Sequence, residues 1–147
     1  MGGYKTVVVG TDGSDSSLRA VDRAGQLASA PGSKLIIVSA YLPAHDDTKA
    51  QDALKDEAYQ VSGTAAVYAI LKEAKERAVA AGAYEVGQEA LVGAPVDVLA
   101  KQVEEVNADL LVVGNVGLNT IAGRILGSVP ANVSRRAKVD VLIVHTV

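Results

Sequence analysis

The chain has no cysteine. That absence excludes disulfides, a nucleophilic thiolate and sulfur-ligated metals together. Phenylalanine and tryptophan are missing as well, and five tyrosines supply all the aromatic content. A core for these 147 residues, 49% of them apolar, therefore has to be aliphatic: valine, leucine, isoleucine and alanine. No apolar run approaches the ~18 residues of a membrane span. The beginning, Met1 to Lys5, passes directly into a strand-like run and has none of the anatomy of a secretory signal, so a soluble cytoplasmic protein is expected. Positive charge is scarce too, with 14 Lys and Arg against 17 Asp and Glu and a net charge of −3. No basic field is available to nucleic acid or anionic lipid, and neither partner is expected. The one dense basic spot, Arg135-Arg136 with Lys138, reads as a solvated helix end, where cations suit the dipole.

The familiar catalytic patterns are also absent. No Gly-Lys-Ser/Thr follows the glycines, so there is no Walker lysine for β- and γ-phosphates. Gly-x-Gly-x-x-Gly does not follow the first strand, and no Gly-x-Ser-x-Gly elbow, His-Glu-x-x-His helix or EF-hand loop occurs. His45 in a polar connection and His145 at a strand tip have the positions of surface residues rather than of general bases. No catalytic residue and no metal ligand set is predicted.

What is present is an alternation. Lys5 to Gly10 is a β-branched run ended by glycine, the pattern of a strand buried on both faces. Thr11 to Ser17 is dense in turn formers and N-cap residues. A helix is then expected to about Ala30, with Leu18, Val21, Ala24 and Ala28 inward and Arg19, Asp22, Arg23 and Gln26 outward, until Pro31-Gly32 stops it. Lys34 to Tyr41 is a second buried strand. Residues 42–62 are polar, with a short helix expected around Ala50–Tyr59 as a flap over a site. A long helix from Gly63 or Thr64 to Ala81 carries Val67, Ile70, Leu71, Ala74 and Ala78 at helical spacing, and Glu73 and Arg77 form an i, i+4 pair on its wet side. Tyr84 to Val92 is a weak strand suited to a sheet edge. Gly93-Ala94-Pro95 opens a helix striped by Val96, Leu99, Ala100, Val103 and Val106. Asp109 to Val113 is a strand, Val129 to Ala137 a last helix, and Asp140 to His145 a last strand.

Strands alternating with helices, about five of each, predict one α/β domain over residues 1–147, a parallel sheet covered on both faces. In such sheets ligands sit beyond the carboxyl ends of the strands, where strand order reverses. Two glycine-containing turns, after the first and fourth strands, fall at such ends, and they face one another if those strands are neighbours. Gly114 to Ser128 lies between a buried strand and a helix start, where bare N–H groups and the helix dipole favour an anion. Glycines at 114, 117, 123 and 127 let a ligand approach the main chain, and Ser128 can cap the next helix or bind a phosphate oxygen. Asp12 is the acidic group placed to meet a ribose hydroxyl or Mg²⁺, or else to shape its own turn or cap the first helix. Tyr41 can stack on a base or pack in the core.

Gly114-x-x-Gly117, nine residues and then Gly127-Ser128 resembles the nucleotide-binding motif of the universal stress protein family. Val8 to Ser14 is similar to that family's opening strand and turn, and Val141 to Val144 to its closing strand, so the resemblance runs from Tyr4 to Val147. It implies an open, doubly wound, Rossmann-like sheet of order 3-2-1-4-5, of the adenine nucleotide α-hydrolase type. It implies an adenine against the ends of the first two strands, read by the backbone near Ala40, with Gly10, Thr11 and Asp12 alongside. Gly114, Asn115, Val116, Gly117, Leu118, Asn119 and Thr120, together with Gly127, Ser128 and Val129, would wrap the phosphate. Dimerisation through the last strand is also implied, and an uncharged edge such as Val141–Val144 favours it physically.

The chain departs from ATP-binding members at two places. Val116 stands where many carry a basic or polar residue, and Pro130 where many carry Ser or Thr. Arg124 is then the one cation in the loop, a nearly neutral cradle that suits a cyclic monophosphate better than a triphosphate with Mg²⁺. Gly-Asn-Val-Gly and Gly-Ser-Val-Pro are also similar to the family's small cyclic-AMP-binding subgroup. The expectation is a homodimer that binds or sequesters cyclic AMP, with ATP second, in stress or second-messenger signalling. Mg²⁺ is expected only with ATP, and no cofactor is obligatory. The alternatives are a slow ATPase or phosphotransferase using Asp12 and a metal, and a ligand-independent dimeric scaffold.

Overall fold

In a computed structural model, residues 4–41, 64–115 and 136–145 are described. Their elements follow one another as β1 (Thr6–Gly10), α1 (Asp15–Leu27), β2 (Lys34–Tyr41), α2 (Thr64–Ala81), β3 (Val86–Val92), α3 (Pro95–Glu105), β4 (Leu110–Gly114) and β5 (Asp140–Val144). The strands form one five-stranded sheet of order β3-β2-β1-β4-β5. Every pairing is parallel, with Val8 opposite Ile36 on one side and Leu111 on the other. The expected order is borne out, and β3 is an edge strand as its weak pattern implies. The helices expected at 50–59 and 129–137 fall outside the described residues, apart from the last two positions of the second.

Alternation explains the unbroken apolar runs. Val7, Val9, Leu35, Ile37, Leu110 and Val112 point to a layer formed by α1 and α2. Val8, Ile36, Val38, Leu111 and Val113 point to the opposite layer, which holds Val98, Leu99 and Val103 of α3. A strand that must be apolar on both faces cannot show the polar alternation of a half-exposed one.

Two helices differ from expectation. The first ends at Leu27 rather than near Ala30. The Ala28 N–H makes the final helical bond to the Ala24 carbonyl, but the Ala28 carbonyl is taken by the Tyr84 N–H at 3.0 Å, diverting the chain early. On α2, Arg77 does not rely on Glu73. It forks across to Asp22 of α1, with Nε to Oδ1 at 3.1 Å and Nη2 to Oδ2 at 2.5 Å. The hydrogen bond to Asp22 raises the Arg77 pKa further, and Glu73 adds only to the surrounding field. The two helices touch closely because α1 has Gly25 at the crossing, where a Cβ would stand 2.9 Å from the Ala78 carbonyl oxygen. The α3 stripe is also shifted, with Val98 and Gln102 buried beside Leu99 and Val103.

Candidate functional site

β1 and β4 are neighbours, so their carboxyl ends open on the same side of the sheet at the point where chain order reverses. Beyond Gly10, the Thr11 N–H still reaches the Val38 carbonyl at 3.0 Å. Then the ladder stops, and side chains take over the main-chain groups. Ser17, fully buried in the first turn of α1, organises the turn. Its hydroxyl lies 3.0 Å from the Ser14 carbonyl, 2.8 Å from Thr11 Oγ1 and 3.2 Å from the Asp12 N–H. A carbonyl can only accept, so the single Ser17 proton goes to Ser14 and the Thr11 hydroxyl donates to Ser17. Thr11 Oγ1 in turn accepts the Gly13 N–H at 3.1 Å. Gly13 has φ +86°, the left-handed conformation that the Asp-Gly turn requires.

Asp12 serves this turn directly, Oδ1 accepting the Ser14 N–H at 2.9 Å. The helix cap is Ser14, whose side chain accepts the Ser17 N–H at 3.2 Å. Of the roles open to Asp12 from sequence, turn shaping is therefore observed and capping belongs to Ser14. A carboxylate has further lone pairs, so a ligand contact is compatible with that role.

Ala40 is placed by register. Val38 directs its carbonyl to the β1 side, and Ala40, two residues on, turns its N–H and C=O the same way. Had β1 continued, those groups would have met the Thr11 carbonyl and the Gly13 N–H. Instead the Thr11 carbonyl accepts the Ser39 hydroxyl at 2.9 Å and the Gly13 N–H goes to Thr11 Oγ1. Ala40 thus presents one donor and one acceptor to the space that β1 vacates. Tyr41 is half-buried and packs against the α1–α2 core.

At the end of β4, Gly114 is buried against Ser16 of α1. The Asn115 N–H continues the ladder to the Val144 carbonyl at 2.9 Å, and Asn115 Nδ2 lies 3.4 Å from His145 Nδ1. Both turns consequently rest on the first turn of one helix. Of the predicted site residues, Gly10, Thr11, Asp12, Ala40, Gly114 and Asn115 come together at one end of three adjacent strands. Val116, Gly117, Leu118, Asn119, Thr120, Gly127, Ser128 and Val129 lie outside the described residues. Ser14 and Ser17 are expected only as members of a turn and N-cap cluster, which Ser14 bears out as the cap, and Ser39 is not singled out by the sequence. The Ser14/Ser17 spacing of three after Asp-Gly could have indicated the first two; Ser39 depends on register and carries no local signal. Among the described residues, no group of three or more His, Asp or Glu is placed to hold a metal ion.

A family model described as the universal stress protein family matches residues 3–145. The chain belongs to the universal stress protein family. Among universal stress proteins, one from Mycobacterium tuberculosis is 70% identical over 146 residues, covering 99% of each chain. A universal stress protein solved in complex with cAMP is 60% identical, with a TM-score of 0.75 over 99% of this chain and 100% of that one. The universal stress protein from Archaeoglobus fulgidus, solved in complex with dAMP, is 25% identical, with a TM-score of 0.66 over 95% of this chain and 97% of that one. The fold is thus shared by chains with little sequence in common.

Proposed function

We propose that this universal stress protein domain, spanning residues 1–147, binds an adenine nucleotide without turning it over, cyclic AMP ahead of ATP. The observation that carries this reading is the Ala40 main chain, aimed into the gap beyond β1. One N–H and one C=O side by side match the acceptor ring nitrogen and donor amino group on the edge of adenine. Support comes from the 60% identical relative solved with cAMP and from the more distant one solved with dAMP. Gly10, Thr11 and Asp12 line the ribose side, Gly114 to Thr120 and Gly127 to Val129 the phosphate. Mg²⁺ enters only with ATP.

The functional unit on this reading is a cytoplasmic homodimer joined along β5, the outer strand of the sheet beyond β4. Among the described residues no helix is long and apolar enough to cross a membrane. Calorimetry with cyclic AMP, AMP and ATP, the last with and without Mg²⁺, tests the ligand. Cyclic AMP should bind most tightly, and failure of all three to bind below the millimolar range would remove the proposal. A slow ATPase using Asp12 would reveal itself as product release that Asp12→Ala abolishes. The bond from Asp12 Oδ1 to the Ser14 N–H favours the binding reading over that one.

A further inference from the structure

A cavity of about 120 Å³ opens between α3 and β3, the edge strand at the far side of the sheet from β5. Leu91 and Val92 of β3 and Val98 of α3 give it apolar walls, and the exposed Lys101 and Glu105 complete its lining. Those two pair with each other at 3.9 Å along the helix, so the site carries no net charge. Gln102 also lines the cavity and is only 6% exposed. The other buried polar residues, Thr11, Ser17, Ser33 and Ser39, all have side-chain hydrogen bonds. Among the described residues, the Gln102 carboxamide has no such partner. A buried amide left unpaired is costly where leucine would pack freely, so it points to a group from outside the chain.

The main chain of β3 supplies the second half of the site. The Glu85 carbonyl accepts the Leu35 N–H at 2.8 Å and the Gly93 N–H reaches the Tyr41 carbonyl at 2.9 Å, so the odd-numbered residues of this stretch turn toward β2. Gln88, Ala90 and Val92 therefore turn N–H and C=O away from the sheet. Val92, 57% exposed, brings this outward row to the cavity. We propose that β3 and the cavity together take an extended, uncharged peptide segment of a partner protein, which adds a strand to the edge and sets a glutamine side chain beside Gln102. The volume is below the ~300–1,000 Å³ usual for free small ligands and suits a single side chain. Two facing carboxamides each donate once and accept once, which leaves neither unpaired. Main-chain pairing gives such a complex its affinity, and the cavity gives it a choice of sequence. A charged side chain in the same place would lie uncompensated against Leu91 and Val98. The site does not depend on the nucleotide reading, because it shares no residue with that crevice.

The end-capped peptide Thr-Val-Gln-Val-Thr is a suitable probe, titrated into the whole protein without nucleotide and followed by nuclear magnetic resonance. The Gln102 side-chain amide and the backbone amides of Gln88, Ala90 and Val92 should shift together, and those three backbone amides should gain protection from exchange. Peptides with leucine or glutamate at the centre should bind roughly tenfold more weakly, the first by leaving Gln102 unpaired and the second by burying a charge. Gln102→Met, close to glutamine in shape, should weaken the glutamine peptide roughly tenfold and bring the leucine peptide level with it. The same variant should keep or raise the thermal midpoint, since it removes an unpaired buried amide. No shift up to about 5 mM peptide, a range that includes weak binding, overturns the proposal. Equal binding of the three peptides does so as well. A lower midpoint in Gln102→Met would mean that ordered water or the chain itself already satisfies the carboxamide, and the site is refuted. Propionamide provides the last arm: if it shifts Gln102 at the same concentrations as the peptide, the ligand is a free small amide and strand addition at β3 is refuted.

Discussion

Gly114 at the end of β4 lies against Ser16 in the first turn of α1, where a Cβ on the glycine would stand 3.0 Å from Ser16 Oγ and 3.1 Å from its carbonyl oxygen. The Gly114 backbone is not among those in the left-handed region, so the restriction is one of space rather than conformation. This contact holds the end of β4 close to the turn that begins after β1. It gives the glycine a part in the fold beside its proposed place at the ligand. Gly114→Ala should cost about 1–3 kcal/mol by overpacking, read as a lower thermal midpoint. Gly114→Glu should abolish cyclic AMP binding by filling the cradle and adding a like charge. Full stability in the alanine variant would mean that the contact is slack. Unchanged affinity in a glutamate variant that is folded by circular dichroism would move the site elsewhere.

Ser17 is the sharper test of the first turn. Ser17→Ala removes the acceptor of the Asp12 N–H and the partner of the Thr11 hydroxyl at a position with no solvent access. Leaving such groups unpaired costs about 1–3 kcal/mol. The Asp12 main chain is fixed by that bond, so nucleotide affinity should fall in parallel with stability. Ser17→Thr keeps the hydroxyl and should retain more of both. An alanine variant that melts with the wild type would show that the turn is held by Asp12 and Ser14 alone.

The opposite end of the sheet carries a pH dependence. Tyr4 donates its hydroxyl to Asp140 Oδ2 at 2.9 Å. That hydrogen bond, reinforced by the charges of Asp140 and Asp109, raises the Tyr4 pKa. The folded state then holds the phenolic proton more tightly than the unfolded state does. The resulting stability is complete below the ordinary tyrosine value of about 10 and fades as pH rises through the raised folded value. Tyr4→Phe should flatten the decline of the thermal midpoint between about pH 9 and 11. An identical alkaline decline in both proteins would assign it to other groups.

The buried strands were readable because a parallel sheet covered on both faces leaves runs such as Val7-Val8-Val9 and Leu110 to Val113 with no polar interruption. The inward stripe of α1 was equally plain. Strand order and the place of Ala40 came instead from likeness to a known family, since periodicity alone does not choose among neighbours. What stayed hidden is long-range. Nothing near Arg77 indicates that Asp22, 55 residues earlier, will outbid Glu73 one turn away. Gly25 looks like an unfavourable helix residue until Ala78 is brought against it. Ser39 reaches the Thr11 carbonyl only because β1 and β2 pair in one register.

The edge at β5 allows the proposed dimer to be tested by one main-chain atom. The Val144 carbonyl accepts the Asn115 N–H, so Val144 faces β4 and Ile143, its neighbour, turns its own N–H and C=O outward. Ile143 is also 42% exposed, high for an isoleucine in a strand. Ile143→Pro removes the outward N–H without touching the β4 ladder, and proline is tolerated at sheet edges. In a two-fold dimer each such loss occurs twice, so about 1 kcal/mol per bond becomes about 2 kcal/mol, roughly thirtyfold in dimer dissociation. Sedimentation velocity across a dilution series should show monomers at concentrations where the wild type remains paired. Ile143→Val, which keeps the N–H, should sediment as the wild type does. If the proline variant stays dimeric at every dilution, the two copies meet through another face, and the outward row of β5 has no part in holding them.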